Sequence, residues 1–304
     1  MLISVVIPTR NRASSLVQTI DALQAQTYPF HEILVVDDGS TDQTATAMQR
    51  ITGIRYIHQP SRGPAAARNR GSREAQGDIL AYTDDDCVPL LTWLEQIAQG
   101  YQDYPHVAGI GGPCRAPVDV LCRNRYARYE WAFERGMLPT PAYIHWLTKG
   151  QLTWHAQWPG HGDYLGGMDC PTGRTNNISF RRSVFQALGG FDESFPLAAA
   201  EDADLKIRLC LQGHCLLWLD SLIVEHRHAY TLGRFCRQHV TYGRGVVHLE
   251  RKHRGRPTPR LLATLRLVKR LAALPGMMHA APRRELIWPR AIAQICDVWG
   301  QIIR

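Results

Sequence analysis

The residues best equipped for chemistry are Asp84-Asp85-Asp86, where the apolar run Ile79-Leu80-Ala81-Tyr82-Thr83 ends in three consecutive carboxylates. Adjacent anions repel, so a fold that keeps three side by side supplies a cation or strong donors. Clustered Asp is also ordinary loop chemistry, and on these residues alone both readings stand. A second pair, Asp37-Asp38, closes the run Glu32–Val36, with Asp38 equally able to form the turn before Gly39. A third, Glu201-Asp202, stands just before a helical segment. There Asp202 suits an N-cap or a proton acceptor, and the roles are compatible, because a helix N-terminus keeps a carboxylate ionised. His226 and His228 alternate after a strand-like run and suit plain strand-end histidines, with His226 alternatively a contact to metal or phosphate. Arg68 lies in the alanine-rich stretch Gly63–Gly71, where solvation is an arginine's ordinary fate.

The elements around these groups follow from pattern. Ile3–Ile7 is a β-branched run stopped by Pro8, as in a buried parallel strand. Helical spacing runs from Ser14 to Gln26, and Glu32–Val36 is a second strand. Ser40 and Gln43 form a capping box for a helix reaching Arg50, and Ile54–Ile57 is a short strand. A helix then leads from Gly63 into the strand that ends at Asp84. This β-α alternation implies a doubly wound, mostly parallel sheet, with three polar strand ends at the edge that binds ligands. The turn after the first strand, Thr9-Arg10-Asn11-Arg12, has no glycine, which excludes a dinucleotide fingerprint.

Beyond Asp86 the spacing predicts a helix over 91–101 and a glycine-rich strand over 107–112. Periodicity weakens over 113–174, which holds four of the eight tryptophans (Trp131, Trp146, Trp154, Trp158) and has the character of a long functional loop or lid. A strand over 176–182, a capping box at Ser183 and Gln186, a helix over 203–212 and strands over 216–219 and 222–224 follow. Arg251–Arg256 has the look of a charged linker, and Pro259–Leu274 is amphipathic, with Leu261, Leu265, Val268 and Ala272 on one face.

Charge is unevenly distributed. Residues 234–304 carry 15 Lys+Arg against 3 Asp+Glu, leaving 20 basic and 24 acidic side chains in residues 1–233. That disfavours a nucleic-acid partner and favours contact between the C-terminal helices and an anionic membrane surface. With 45% hydrophobic and 20% charged residues the chain is an ordinary globular one. The eight cysteines show no metal-ligand spacing, and neither a signal peptide nor an 18-residue apolar run is evident. A cytoplasmic protein, peripheral at most on the inner membrane face, is expected.

Ser4–Arg12, Val35–Asp42, Gly63–Gly71, Thr83–Asp86, Asn177–Arg181, Gly189–Glu193, Glu201–Asp204 and Gln238–Gly245 together resemble the family 2 glycosyltransferases. The resemblance covers residues 3–112 and 175–245. It implies a GT-A fold, with a nucleotide-sugar-binding half (1–112), an acceptor and catalytic half (113–230) and a basic helical extension (231–304). It implies that Pro8, Thr9 and Asp38 hold base and ribose, with Arg10 and Asp85 also among the nucleotide-sugar contacts. Arg68 then lies by the base or diphosphate, Asp84 and Asp86 form the Asp-x-Asp pair that meets ribose and Mg2+ or Mn2+, and His226 adds a metal or diphosphate contact. Asp202, with Glu201 beside it, is the implied general base of an inverting transfer from a nucleoside-diphosphate sugar, UDP favoured, to a hydroxyl that a lipid carries or that is soluble. A nucleotidyltransferase lacks its basic glycine-rich loop here. A non-catalytic nucleotide-sugar or membrane-surface binding protein is the remaining alternative.

Overall fold

Parallel strands buried on both faces need near-continuous apolar runs, and the first two strands have them. The computed structural model describes residues 1–134, 163–166, 170–171, 174–195, 199–259, 261–265, 268 and 286–303. β1 (Ile3–Thr9) pairs in parallel with β2 (Glu32–Asp38) and β4 (Ile79–Tyr82), and β2 with β3 (Arg55–Gln59). α1 (Ala13–Gln24), α2 (Thr44–Met48) and α3 (Pro64–Glu74) make the crossovers. α3 lies close against the sheet because Gly71 has no side chain: a Cβ there would meet Val6 Cγ1 at 2.5 Å. Thr9, Asp38 and the Thr83–Asp86 turn are thereby delivered to one edge, as expected of a doubly wound sheet.

After β4 come β5 (Cys87–Pro89), α4 (Trp93–Asp103), β6 (Gly109–Gly111), β7 (Cys114–Arg115), α5 (Val118–Arg123), α6 (Arg125–Glu134) and β8 (Tyr164–Gly166). β9 (Ile178–Arg181), α7 (Arg182–Ala187), α8 (Glu201–Leu211), β10 (Leu216–Trp218) and β11 (Val224–His226) follow. The main sheet has the order β3-β2-β1-β4-β9-β6-β10-β8, with β9 antiparallel to both neighbours. A second sheet, β5-β11-β7, sets His226 opposite Cys87 and so beside Asp86. α9 (Leu232–Arg254) and α10 (Ile287–Ile302) cross at glycine contacts: a Cβ on Gly243 would lie 1.9 Å from Asp297 O, and one on Gly300 2.1 Å from Val240 O.

Several local expectations are corrected. Neither capping box forms. Asp42 takes the Thr44 amide at 2.9 Å in the role expected of Ser40, and Ser183 lies inside α7. Arg251–Arg254 is no linker but the last turn of α9, where basic side chains face the negative helix end and Gly255 terminates it at φ 76°. Residues 118–134 are helical rather than loop, held by Tyr126 and Tyr129 against Phe235 at centroid distances of 5.0 and 5.5 Å. Trp146, Trp154 and Trp158 lie outside the described residues.

Candidate active site

Each acidic residue of the opening triplet has its own surroundings. Asp84 accepts a 2.8 Å hydrogen bond from Arg68 Nη2. Arg68 is buried on α3, and its Nη1 donates to Glu201 Oε1 at 3.1 Å. One guanidinium therefore ties the end of β4 to the start of α8. Asp85 accepts from Thr9 Oγ1 at 2.8 Å and lies 3.3 Å from Arg12 Nη1. Burial pushes its carboxyl up to about 7, against the opposing pull of Arg12 and Thr9.

Asp86 is the most crowded. Its Oδ1 meets His226 Nε2 at 3.1 Å, while Oδ2 takes a short contact from Arg12 and lies 3.5 Å from Arg234 Nη2. Burial alone would raise its pKa, but His226 and then Arg12 hold it well below the usual carboxylate range. The converse holds for His226, where burial lowers the pKa but Asp86 raises it above the ordinary imidazole value. His228 sits edge-on to His226 at 4.1 Å and stacks on Tyr230 at 4.1 Å. Ligand atoms of Asp86, His226 and His228 all lie within 4.8 Å of one another, a spacing a metal ion could fill.

The carboxylates of α8 face a different balance. Ala200, left-handed at φ 72°, precedes the helix, and Asp202 sits within its first turn rather than at the cap. Asp202 Oδ1 accepts from the Ala203 amide at 2.7 Å. Burial lifts its pKa, with that amide, Arg174 and Arg68 opposing. Glu201 is pushed up to about 7 by burial and by Asp202's charge, against Arg68. A Cβ on Gly245 of α9 would come 2.6 Å from Ala199 O, so α9 backs directly onto the turn that presents Asp202.

The family model for Glycosyl transferase family 2 matches residues 4–188, more than half of the chain. The chain belongs to glycosyl transferase family 2. A second model, Glycosyl transferase family group 2, matches residues 161–288. The pre-mycofactocin glycosyltransferase of Mycobacterium tuberculosis is 28% identical over 267 residues, covering 86% of this chain and 50% of that protein. The validoxylamine A glucosyltransferase of Streptomyces hygroscopicus subsp. jinggangensis is 29% identical over 245 residues, covering 70% and 52%. The chain thus spans about half the length of these curated relatives. Among solved structures, the Pyrobaculum calidifontis mannosyltransferase PcManGT, in complex with GDP-Man and Mn2+, superposes with TM-score 0.65 at 18% identity, covering 99% of this chain and 87% of that one. S. aureus TarS 1-349 in complex with UDP gives 0.55 at 15%, covering 99% and 90%. Both likenesses establish the GT-A type fold, with its C-terminal helices.

In this family 2 chain the other expected contacts fall along the same edge. Pro8 is buried opposite Val36, and Arg10 is exposed just beyond β1. Asp38 is engaged within its own neighbourhood: it accepts from the Arg62 and Gly63 amides, both at 2.8 Å, from Gln59 at 2.8 Å and from Ser61 at 3.2 Å. In the folded chain it shapes the 59–63 loop. Arg12, Arg234, Glu130 and His228 are site neighbours that sequence reasoning did not assign. For His228 a signal existed: alternate residues of an extended chain face one side, so His226-x-His228 could pair. Arg12 and Arg234 offered none, since a lone arginine in sequence does not show which carboxylate it meets.

Proposed function

We propose that this protein is an inverting glycosyltransferase that moves a sugar from a nucleoside-diphosphate sugar to an acceptor hydroxyl, with a divalent cation bound at Asp86. The observation that carries this reading is the Asp84–Arg68–Glu201 bridge, which fixes Asp202 relative to the acidic strand end. The residues suit a cation: a carboxylate oxygen and an imidazole nitrogen stand 3.1 Å apart, and neither is a mere surface group. When bound, such an ion would neutralise charge on the departing diphosphate.

The chain's own groups then divide the work. Asp202, with its pKa raised but opposed by a backbone amide and two arginines, takes the proton of the attacking hydroxyl. Attack by that hydroxyl at the anomeric carbon expels the diphosphate in a single displacement, so no covalent enzyme nucleophile is needed. Arg12 and Arg234 flank the Asp86 carboxylate and supply positive charge on the diphosphate side. Glu201 holds Arg68 and so positions the base rather than acting as one. Pro8, Thr9, Arg10 and Asp38 line the base and ribose end, with UDP favoured as the nucleotide and residues 113–174 choosing the acceptor.

A lipid-linked acceptor fits the far end of the chain. Trp288, Ile295 and Trp299 on α10 are exposed, as are Leu261, Leu265 and Val268, within a region rich in Lys and Arg. Apolar groups among cations match an anionic membrane surface. A thermal-shift screen of UDP- and GDP-sugars with and without Mn2+ tests the donor claim. A rise in Tm with one nucleotide sugar that needs Mn2+ is expected; no rise with any of them would rule the donor class out.

A further inference from the structure

We propose that Asn176 is a specificity-determining residue of the donor site, its side-chain amide meeting one hydroxyl of the transferred sugar. This role rests on the transferase reading and names the group that chooses among sugars. Asn176 is only 7% exposed, and among the described residues its Oδ1 has no hydrogen-bond partner. A buried acceptor left unpaired is costly, so a fold that keeps one calls for a group that pairs it. The next residue supplies the contrast. Asn177 Nδ2 donates to Pro113 O at 3.1 Å and to Leu222 O at 2.7 Å, and its Oδ1 accepts from Trp93 Nε1 at 2.8 Å. That amide is a structural tie at both ends, whereas Oδ1 of Asn176 ties nothing.

The turn that carries Asn176 spans the interval between the acidic strand end and the base. The Asn177 amide donates to Arg174 O at 3.2 Å, closing a turn over 174–177 just ahead of β9. On one side Thr83 Oγ1 donates to the main-chain carbonyl of Asn176 at 3.2 Å, and Thr83 directly precedes Asp84. On the other, Arg174 is near enough to Asp202 for its charge to oppose the rise in that carboxyl's pKa. With the diphosphate at the acidic end of β4 and the attacking hydroxyl at Asp202, the anomeric carbon lies between them. The sugar ring then sits beside the 174–177 turn. A sugar hydroxyl donates as well as accepts, so it can satisfy the open Oδ1. A site built to pair a substrate hydroxyl rejects the analogue that lacks it, because the buried group is left unpaired again.

The test uses the full chain with Mn2+ and, as probes, UDP-glucose, UDP-galactose, UDP-N-acetylglucosamine and GDP-mannose, with UDP and GDP alone for comparison. Calorimetry on the tightest binder and its monodeoxy analogues should find one analogue bound about 10- to 100-fold more weakly than the parent. Asn176→Leu, close in shape but apolar, should weaken the parent to the level of that analogue and abolish the distinction between them. Its affinity for the nucleoside diphosphate alone should not change. Because the acceptor it removes is unpaired, the unliganded variant should match or exceed the wild-type Tm. A lower Tm would reveal a structural tie and overturn the proposal. Equal binding of every monodeoxy analogue to the wild type would overturn it as well, whether or not the variant folds. So would an equal loss of nucleoside diphosphate and nucleotide sugar affinity in Asn176→Leu. Wild-type binding of none of the four sugars would defeat the transferase reading and this role with it; unchanged sugar binding in folded Asn176→Leu would defeat this role alone.

Discussion

At the scale of single residues, the site is a balance of buried charges in which Arg68 is the pivot. It is buried, and it neutralises Asp84 and Glu201 at 2.8 and 3.1 Å. Removing one partner of a buried ion pair leaves charge uncompensated, at a cost of about 3–5 kcal/mol. Arg68→Met should therefore lower the urea midpoint by a corresponding amount, and a midpoint within error of wild type would show the bridge to be dispensable. Asp85 gives a pH prediction. Its folded pKa, raised to about 7, lies above that of the unfolded chain, so the folded state favours the proton. The carboxyl is harmless at low pH and destabilises as pH rises from about 4 through 7, because the unfolded chain then releases a proton the folded chain retains. Asp85→Asn should thus raise Tm at pH 8 and leave it nearly unchanged at pH 4; equal shifts at both pH values would refute this. Asp84, Asp85 and Asp86 were legible as a group from type and order, and His226 joined them only through the family resemblance. Their individual roles were not, because sequence shows charges but not which arginine each charge meets.

At the scale of elements, what was legible was periodicity and what was hidden was contact. The four parallel strands and their crossovers follow from apolar runs separated by helical spacing. The β5-β11-β7 sheet does not, since its strands are two or three residues long and far apart in sequence. That small sheet nonetheless brings His226 to Asp86. The first capping box failed because Asp37 takes the Ser40 amide that Gln43 was expected to reach, and Asp42 takes the Thr44 amide in place of a Ser40 cap. Glycine contacts are equally invisible until the fold is known. Gly245 lets α9 approach Ala199, next to the left-handed Ala200 that precedes Glu201-Asp202. Gly245→Ala, whose Cβ would come 2.6 Å from Ala199 O, should push that turn and lower kcat at least about tenfold, since small displacements of a reacting group are costly. The Kd for the donor should stay unchanged, because Arg234, the α9 residue on the diphosphate side, lies about three turns from Gly245 and the other donor contacts lie on other elements. Loss of donor affinity with kcat intact would refute the assignment.

At the scale of the whole molecule, the charge asymmetry seen in the sequence coincides with an apolar stripe seen only in the fold. Trp288, Ile295 and Trp299 emerge from α10 while its inner face is sealed against α9 by Gly243 and Gly300. Among the described residues no helix is long and apolar enough to cross a membrane. Vesicles containing anionic lipid should sediment the protein at low salt and release it at high salt, and Trp288→Ser with Trp299→Ser should weaken binding without lowering donor affinity. Equal binding to neutral vesicles would point away from charge as its source. The donor edge and the α10 stripe are thus separable in experiment.

The claim on which the rest depends is that Asp202 serves as base beside a cation-bound diphosphate. Its most direct measurement is the release of nucleoside diphosphate from the stabilising nucleotide sugar, with Mn2+ present, by wild type and Asp202→Asn at equal donor occupancy. The rate should fall by about 10²–10⁴-fold while the donor Kd stays the same. Release at the wild-type rate from Asp202→Asn would contradict it.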